Sequence, residues 1–286
     1  MLQRRLFALS PTAYHTFDRI RRRIRPLYES ELQKHLRERQ SADYLLLSLT
    51  NCGRTWLRVI LGRAMQLHDS ADGSNILEDV NLHDLFSFSE RLPTLPSIKP
   101  MHEKYRQFGN RYLQQKVILL VRDPRDAIVS RYHQHKDELN KKLGVNSLDE
   151  YVCQGDDLAA YIQFYNDWQT HRHSAKDLLV VRYEDMKSNT FESIQRAANF
   201  LELSLTPAEI SEAIDYASFQ NMRKMELKGG DQVRTKVMSA RDVSDPDSFK
   251  VRKGAIGGYK TELSPESVAF VNAAVLAQLN PIYSYV

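Results

Sequence analysis

Residues able to do chemistry collect just beyond the apolar runs of this chain. Asn51-Cys52-Gly53-Arg54-Thr55-Trp56 follows the apolar run 44–49 and opens a stretch in which Trp56, Leu57, Ile60, Leu61 and Ala64 recur at helical spacing. A strand that turns straight into a helix leaves backbone N–H groups unpaired at the helix start, and such groups hold anions. Gly53 permits the tight turn, Thr55 adds a hydroxyl donor, and Arg54 brings a full positive charge. Arg122 stands one residue past the apolar run 116–121, and Ser130 lies about two turns into the helix that follows. The two can converge on one phosphate only if it lies outside the first loop, which implies a ligand with two separate anionic groups. Arg252-Lys253-Gly254, in a late basic loop, could close over the same group. His102 follows a short strand at 97–99, and an imidazole of ordinary pKa, about 6.5, can take a proton near neutral pH.

Each of these residues has a plainer structural role available. Arg122 could pair with Asp123 or Asp126, Ser130 could bond its own helix backbone, and 252–254 could be a solvated turn; His83, His133 and His135 compete with His102. The nucleotide-binding loop G-x-x-x-x-G-K-[ST] does not fit, because there is one glycine and no lysine before Thr55.

The elements that must position these groups read as an α/β fold: a central parallel sheet flanked by helices, with a P-loop-like strand–loop–helix, in a single domain. Apolar runs at 44–49, 116–121 and 178–181 read as buried parallel strands separated by helical stretches, so their C-terminal ends gather on one edge. Residues 1–40 read as a basic helical segment packed on a domain spanning 41–286, with helix over 12–40 broken at Pro26. The irregular region 66–96 is a candidate pocket wall. Residues 147–174 read as helix whose stripe of Leu158, Tyr161, Ile162, Tyr165 and Trp168 belongs to the core. Thr206-Pro207-Ala208-Glu209 reads as a capped helix start, 226–260 as a functional loop, and apolar helical spacing resumes over 268–279.

Composition narrows the classes. The chain has 286 residues, 42% hydrophobic and 27% charged, so it can bury a full core. A net charge of +4 suits a local basic pocket and does not call for nucleic acid. Two cysteines, Cys52 and Cys153, without metal-like spacing suggest a reducing compartment, no disulfide framework and no metal site. No apolar run reaches the roughly 20 residues that span a bilayer, and the N-terminus makes a poor secretory signal, so a cytoplasmic location is expected.

Taken together the segments resemble the sulfotransferases that use 3′-phosphoadenosine 5′-phosphosulfate (PAPS). Residues 50–56, T-N-C-G-R-T-W, resemble that family's P-K-S-G-T-T-W loop. Residues 122–130, R-D-P-R-D-A-I-V-S, match its R-[ND]-P-[KR]-D-x-x-x-S throughout. Residues 183–186, Y-E-D-M, match Y-E-D-[LM], and 252–260, R-K-G-A-I-G-G-Y-K, resemble R-K-G-x-x-G-[DE]-W-K, with Gly258 and Tyr259 as departures. The resemblance implies a PAPS-dependent enzyme that releases 3′-phosphoadenosine 5′-phosphate (PAP), requires no metal and acts on a small-molecule acceptor by in-line transfer. It also implies residue roles. Asn51, Cys52, Gly53, Arg54 and Thr55 would hold the 5′-phosphosulfate. Trp56, Tyr183 and Phe219 would flank the adenine. Arg122, Ser130, Arg252, Lys253 and Gly254 would bind the 3′-phosphate, and His102 would be the general base, although K-P-M-H at 99–102 is one residue longer than the family's K-x-H.

One departure bears on catalysis. Where the family carries a lysine in the first loop this chain has Asn51, so Arg54 or Lys99 would have to supply the missing cation; Arg54 replaces the usual first threonine and is the first choice. Alternatives from the sequence are a P-loop-type nucleotide kinase, a polyanion-binding protein, or a donor-binding relative made catalytically weak by Asn51. The family's dimerisation signature is not evident after Lys260, and the oligomeric state has no sequence signal.

Overall fold

The computed structural model describes residues 33, 36, 38–70, 82, 84–86, 94–102, 112, 114–227, 244–245, 249 and 251–285. The chain divides into two units, Met1–Ala42 and Asp43–Val286; of the first, residues 38–41 are helical. The expected helix over 12–40, most of the pocket wall at 66–96 and most of the loop at 226–260 lie outside the described residues.

The second unit begins with β1 (Tyr44–Leu47), all four residues buried, and runs through a loop into α1 (Arg54–Ser70). β2 (Ile98–Met101) and β3 (Lys116–Val121) follow, then α2 (Pro124–Leu143), α3 (Leu148–Gln154) and α4 (Asp157–Thr170). β4 (Asp177–Arg182) leads directly into α5 (Tyr183–Ser188), after which come α6 (Thr190–Phe200), α7 (Pro207–Tyr216) and α8 (Phe219–Leu227). The chain closes with the short α9 (Tyr259–Glu262) and with α10 (Pro265–Gln278).

The four strands form one parallel sheet in the order β2-β1-β3-β4, with Tyr44 opposite both Ile98 and Lys116, and Lys116 opposite Asp177. Strands in the middle of such a sheet are covered on both faces, so they read as unbroken apolar runs. Leu45 to Leu47 and Val117 to Val121 are fully buried, each side chain contributing about 1.5–3 kcal/mol of hydrophobic stabilisation. From β1 the chain crosses to β2 on one side, whereas β3 and β4 lie on the other. The point where the order reverses, at the C-terminal ends of β1 and β3, opens a crevice, and ligands of open α/β sheets bind in such crevices.

The expected helix over 147–174 is two helices. Gly155 ends α3 with extended backbone (φ −81, ψ 151), and α4 starts two residues later. Its aromatic stripe is buried as expected. The capped helix start is present: Thr206 and Glu209 form a reciprocal capping box with Pro207 in the first turn.

Candidate active site

The loop between β1 and α1 owes its shape to two residues with positive φ, Asn51 (59°) and Gly53 (88°). At Gly53 glycine is required twice, since φ is left-handed and a Cβ would lie 2.5 Å from Tyr183 Cδ2. The loop is fixed from behind by side chains of α2 and α4. The Tyr161 hydroxyl donates to the Thr50 carbonyl and shares a 3.0 Å hydrogen bond with Thr50 Oγ1, which also accepts from Arg131 Nη1 at 3.1 Å. Asp157 in turn holds Arg131 Nε at 2.8 Å. Asn51 Nδ2 donates to Gln134 Oε1 at 2.8 Å and to Ser130 Oγ at 3.4 Å.

Arg122 emerges from β3 into the same crevice. Its Nη1 donates to the Asn51 carbonyl at 2.9 Å, Nη2 donates to the Ala255 carbonyl at 3.3 Å, and its guanidinium lies 4.5 Å from the centre of the Tyr183 ring. The Arg122 Nε is buried without a partner. Tyr183 stands edge-on to Trp56, 6.0 Å between ring centres, and the Trp56 indole N–H is anchored on the Ala217 carbonyl at 3.0 Å. Phe219, exposed at the cavity, and Gly254 complete this aromatic corner: a Cβ on Gly254 would sit 3.4 Å from the Tyr183 hydroxyl and 3.6 Å from the Phe219 ring.

The late loop is latched by two carboxylates. Asp126, buried at the start of α2, accepts from the Gly257 N–H at 2.7 Å and the Tyr259 N–H at 3.0 Å. Glu262 grips Arg252 through two bonds of 2.7 and 2.8 Å and lies 3.3 Å from Lys253 Nζ. Burial alone would raise the Glu262 pKa; Arg252, helped by His133 and Lys253, outweighs burial and holds it at about 2.

At the end of β2, the His102 Nδ1–H donates to the Ser48 carbonyl at 3.0 Å, a partner that can only accept, so the lone pair of the neutral ring is on Nε2. An Arg54 amino group meets that Nε2, while the other Arg54 amino group donates to the Met101 carbonyl. His102 is exposed, yet the protein around its ring, followed by Arg54, holds its pKa down to about 4. Arg54 is itself lowered to about 9, by burial first and then by Arg58 one helical turn further along α1.

All these elements border one cavity of about 490 Å³. Asn51, Gly53, Arg54, Thr55, Trp56, His102, Arg122, Ser130, Tyr183, Phe219, Arg252, Lys253 and Gly254 line it together. Two expected residues do not line it. The Cys52 side chain turns into the core, 3.5 Å from the Tyr165 hydroxyl, where burial pushes its pKa up to about 11. Lys99 places its ammonium 5.4 Å from the centre of the Phe86 ring. Of the competing histidines, His135 also lines the cavity, His133 Nε2 is 2.8 Å from Glu262, and His83 lies outside the described residues. Among the described residues no group of three or more His, Cys, Asp or Glu side chains could hold a metal ion, and no helix is long and apolar enough to cross a membrane.

The family profile described as the sulfotransferase domain matches residues 41–280. The chain belongs to the sulfotransferase domain family. It is similar to cytosolic sulfotransferase 13 of Arabidopsis thaliana, at 28% identity over 254 residues covering 82% of this chain and 75% of that protein. Human sulfotransferase 2A1 is 25% identical over 261 residues, covering 83% of this chain and 85% of its own. Among solved structures, mouse sulfotransferase SULT7A1 complexed with PAP shares the fold with a TM-score of 0.56 at 18% identity, covering 83% of this chain and 84% of that one. Retinol dehydratase in complex with androsterone and the inactive cofactor PAP gives a TM-score of 0.52 at 15% identity, covering 82% of this chain and 80% of that one.

Membership in this family of PAPS-dependent enzymes agrees with the motifs at 50–56, 122–130, 183–186 and 252–260. The sulfotransferase cavity also contains residues that the motif reading passed over. Asp126 was visible as the second aspartate of R-D-P-R-D but carries no signal that it ties down a loop 131 residues later. Glu262 and Gln134 lie outside every motif. Arg58 follows Arg54 by four residues, and that helical spacing alone would have placed both on one face.

Proposed function

We propose that the chain transfers a sulfuryl group from PAPS to a hydroxyl or amine of a small-molecule acceptor, in line, with His102 as general base. The observation that carries the proposal is the single cavity bordered both by the first loop with His102 and by Arg122, Ser130 and the 252–254 segment. A donor with phosphate groups on both its 3′ and 5′ sides needs two anion sites and an aromatic slot, and the lining supplies cations, loop N–H groups, Trp56, Tyr183 and Phe219 in one space. The mouse sulfotransferase and retinol dehydratase structures both hold PAP, which supports the same ligand here.

In this reading Thr55, Arg54 and the loop amides hold the 5′-phosphosulfate, and Arg122, Ser130, Arg252, Lys253 and the Gly254 amide hold the 3′-phosphate. The acceptor oxygen or nitrogen attacks sulfur while the bond from sulfur to the bridging phosphate oxygen breaks, and the acceptor proton passes to His102 Nε2. Sulfuryl transfer has a loose transition state like phosphoryl transfer, so positioning and charge stabilisation on the leaving oxygen supply most of the rate. Arg54 takes the part of the missing loop lysine, because it reaches from the loop to His102, where the reacting groups meet. The names of the Arabidopsis relatives support a cytoplasmic location.

Calorimetric titration with PAP, against ATP plus Mg²⁺, tests the donor site. Incubation with PAPS and an acceptor panel, scored by the mass of one added SO₃ group, tests the reaction. Tighter, metal-dependent binding of ATP would refute the reading.

A further inference from the structure

Arg58 lines the cavity, and the donor assignment leaves it without a task. Its Nε is buried and has no hydrogen-bond partner. It lies at the reaction end of the cavity, one helical turn along α1 from Arg54, whose guanidinium meets His102. Burial lowers its own pKa to about 10, and the nearby Asp84 carboxylate opposes that shift without cancelling it.

The carboxylates on the cavity wall do not answer this charge. Among the described residues the acidic lining side chains are Asp126 and Glu262, and both are committed to the late loop. Asp84 offsets part of the Arg58 charge but gives no hydrogen bond to its buried Nε, and the complement of a guanidinium with an unmet N–H is an oxyanion delivered by the ligand. The donor's 3′-phosphate is matched by Arg122, Arg252 and Lys253, and its 5′-phosphosulfate by Arg54 and the loop. What enters beside His102 is the acceptor.

We propose that the acceptor carries an oxyanion, a carboxylate or a phosphate ester, near the hydroxyl or amine that is sulfated, and that Arg58 is the residue that selects it. The proposal rests on the sulfotransferase reading above and adds to it the chemical class of the acceptor. An acceptor anion on Arg58 also offsets the positive charge facing His102, so an anionic acceptor improves the base that deprotonates it.

The test uses matched pairs of acceptors built on aliphatic, aromatic and sugar scaffolds. Each pair is a hydroxy acid and its methyl ester, with a phosphate monoester of the same scaffold as a third arm. Initial rates are measured at saturating PAPS for the wild type, Arg58→Gln and Arg58→Lys, and PAP affinity is measured by calorimetry on the same proteins. An anionic member should exceed its ester by about tenfold or more in kcat/KM, the value of one charge-assisted hydrogen bond. The preference should vanish in Arg58→Gln mainly through KM, return in part in Arg58→Lys, and leave the PAP Kd within about twofold throughout. The relative rates of the acid and phosphate arms identify which oxyanion is taken. Esters sulfated as well as the anions by the wild type overturn the proposal, as does loss of PAP binding in Arg58→Gln. If wild type binds PAP but sulfates no member of any pair, the acceptor class is wrong and the donor reading stands. If wild type does not bind PAP, the donor reading falls first.

Discussion

Gly53→Ala is the sharpest perturbation of the active site, because one methyl group meets two separate obstacles. The backbone there has φ 88°, a conformation costing a non-glycine residue about 1–3 kcal/mol. The new Cβ would also stand 2.5 Å from Tyr183 Cδ2 and 2.9 Å from Cε2, so the ring must move at a further cost of about 1–3 kcal/mol. Gly144 provides the control: it caps α2 at φ 71°, and a Cβ there meets nothing within 4 Å. Gly144→Ala therefore carries the backbone cost alone, and the difference between the two variants isolates the steric part. In urea unfolding Gly53→Ala should be less stable than Gly144→Ala by about 1–3 kcal/mol. Because Tyr183 flanks both Trp56 and the Arg122 guanidinium, Gly53→Ala should also weaken PAP binding by about tenfold or more, whereas Gly144→Ala should leave it unchanged. Equal stability of the two variants together with unchanged PAP affinity would refute the proposed contact between the loop and Tyr183.

Arg54→Ala should lower kcat at saturating PAPS by about 10²–10³, the usual loss when a leaving-group donor is removed; near-normal turnover would mean that the missing lysine is replaced elsewhere. Glu262 has a folded pKa of about 2 against 4.5 ordinarily, so its charge stabilises the fold above pH 4.5 and that contribution disappears as pH falls from 4.5 towards 2. Glu262→Gln should thus be less stable than wild type at pH 7 by about 1–3 kcal/mol, the range for a charge-assisted hydrogen bond partly screened by solvent, with the gap closing over that window, as read by chemical unfolding at several pH values. For His102 the folded pKa of about 4 lies below the ordinary 6.5, so protonation favours the unfolded chain as pH falls from 6.5 towards 4, and the ring of the folded protein, the proposed base, stays neutral until the pH nears 4. The low-pH limb of kcat/KM should accordingly fall well below pH 6, and a limb centred near 6.5 would contradict the environment assigned to the ring. Asp126→Asn should raise the PAP Kd by about tenfold with little change in kcat, because it loosens the late loop and leaves the reacting groups in place.

Much of this architecture was legible because backbone demands leave marks in sequence. β3 was readable to its ends, since a doubly covered strand must be continuously apolar, and the Gly53 turn because the backbone there requires glycine. The apolar run at 44–49 overshot β1 by two residues because Ser48 and Leu49 already belong to the site, Leu49 on the cavity wall and Ser48 with its carbonyl on His102. Side-chain destinations were much less visible. Nothing in Asn51-Cys52-Gly53 says that the middle residue turns inward to Tyr165, and nothing in 147–174 says that two of its core tyrosines extend their hydroxyls to the back of the site. Tyr165 both accepts from the Arg122 N–H at 3.0 Å and donates to the Arg122 carbonyl at 2.9 Å, so a residue read as packing also fixes the strand end that carries Arg122.

Asn51 shows how one substitution can redistribute a site's charge. Its φ of 59° is a conformation that asparagine adopts more readily than a long aliphatic cation does, and its amide is engaged by Gln134 and Ser130. The loop therefore gains a rigid neutral bridge to α2 and loses a mobile charge. The cation proposed to take its place is Arg54, in the first turn of α1, where its guanidinium spans the Met101 carbonyl and His102 Nε2. Placed there it cannot serve the leaving group and still occupy the imidazole lone pair in the same geometry. In the proposed mechanism, binding of the donor's anion and release of the base would thereby be coupled through a single side chain.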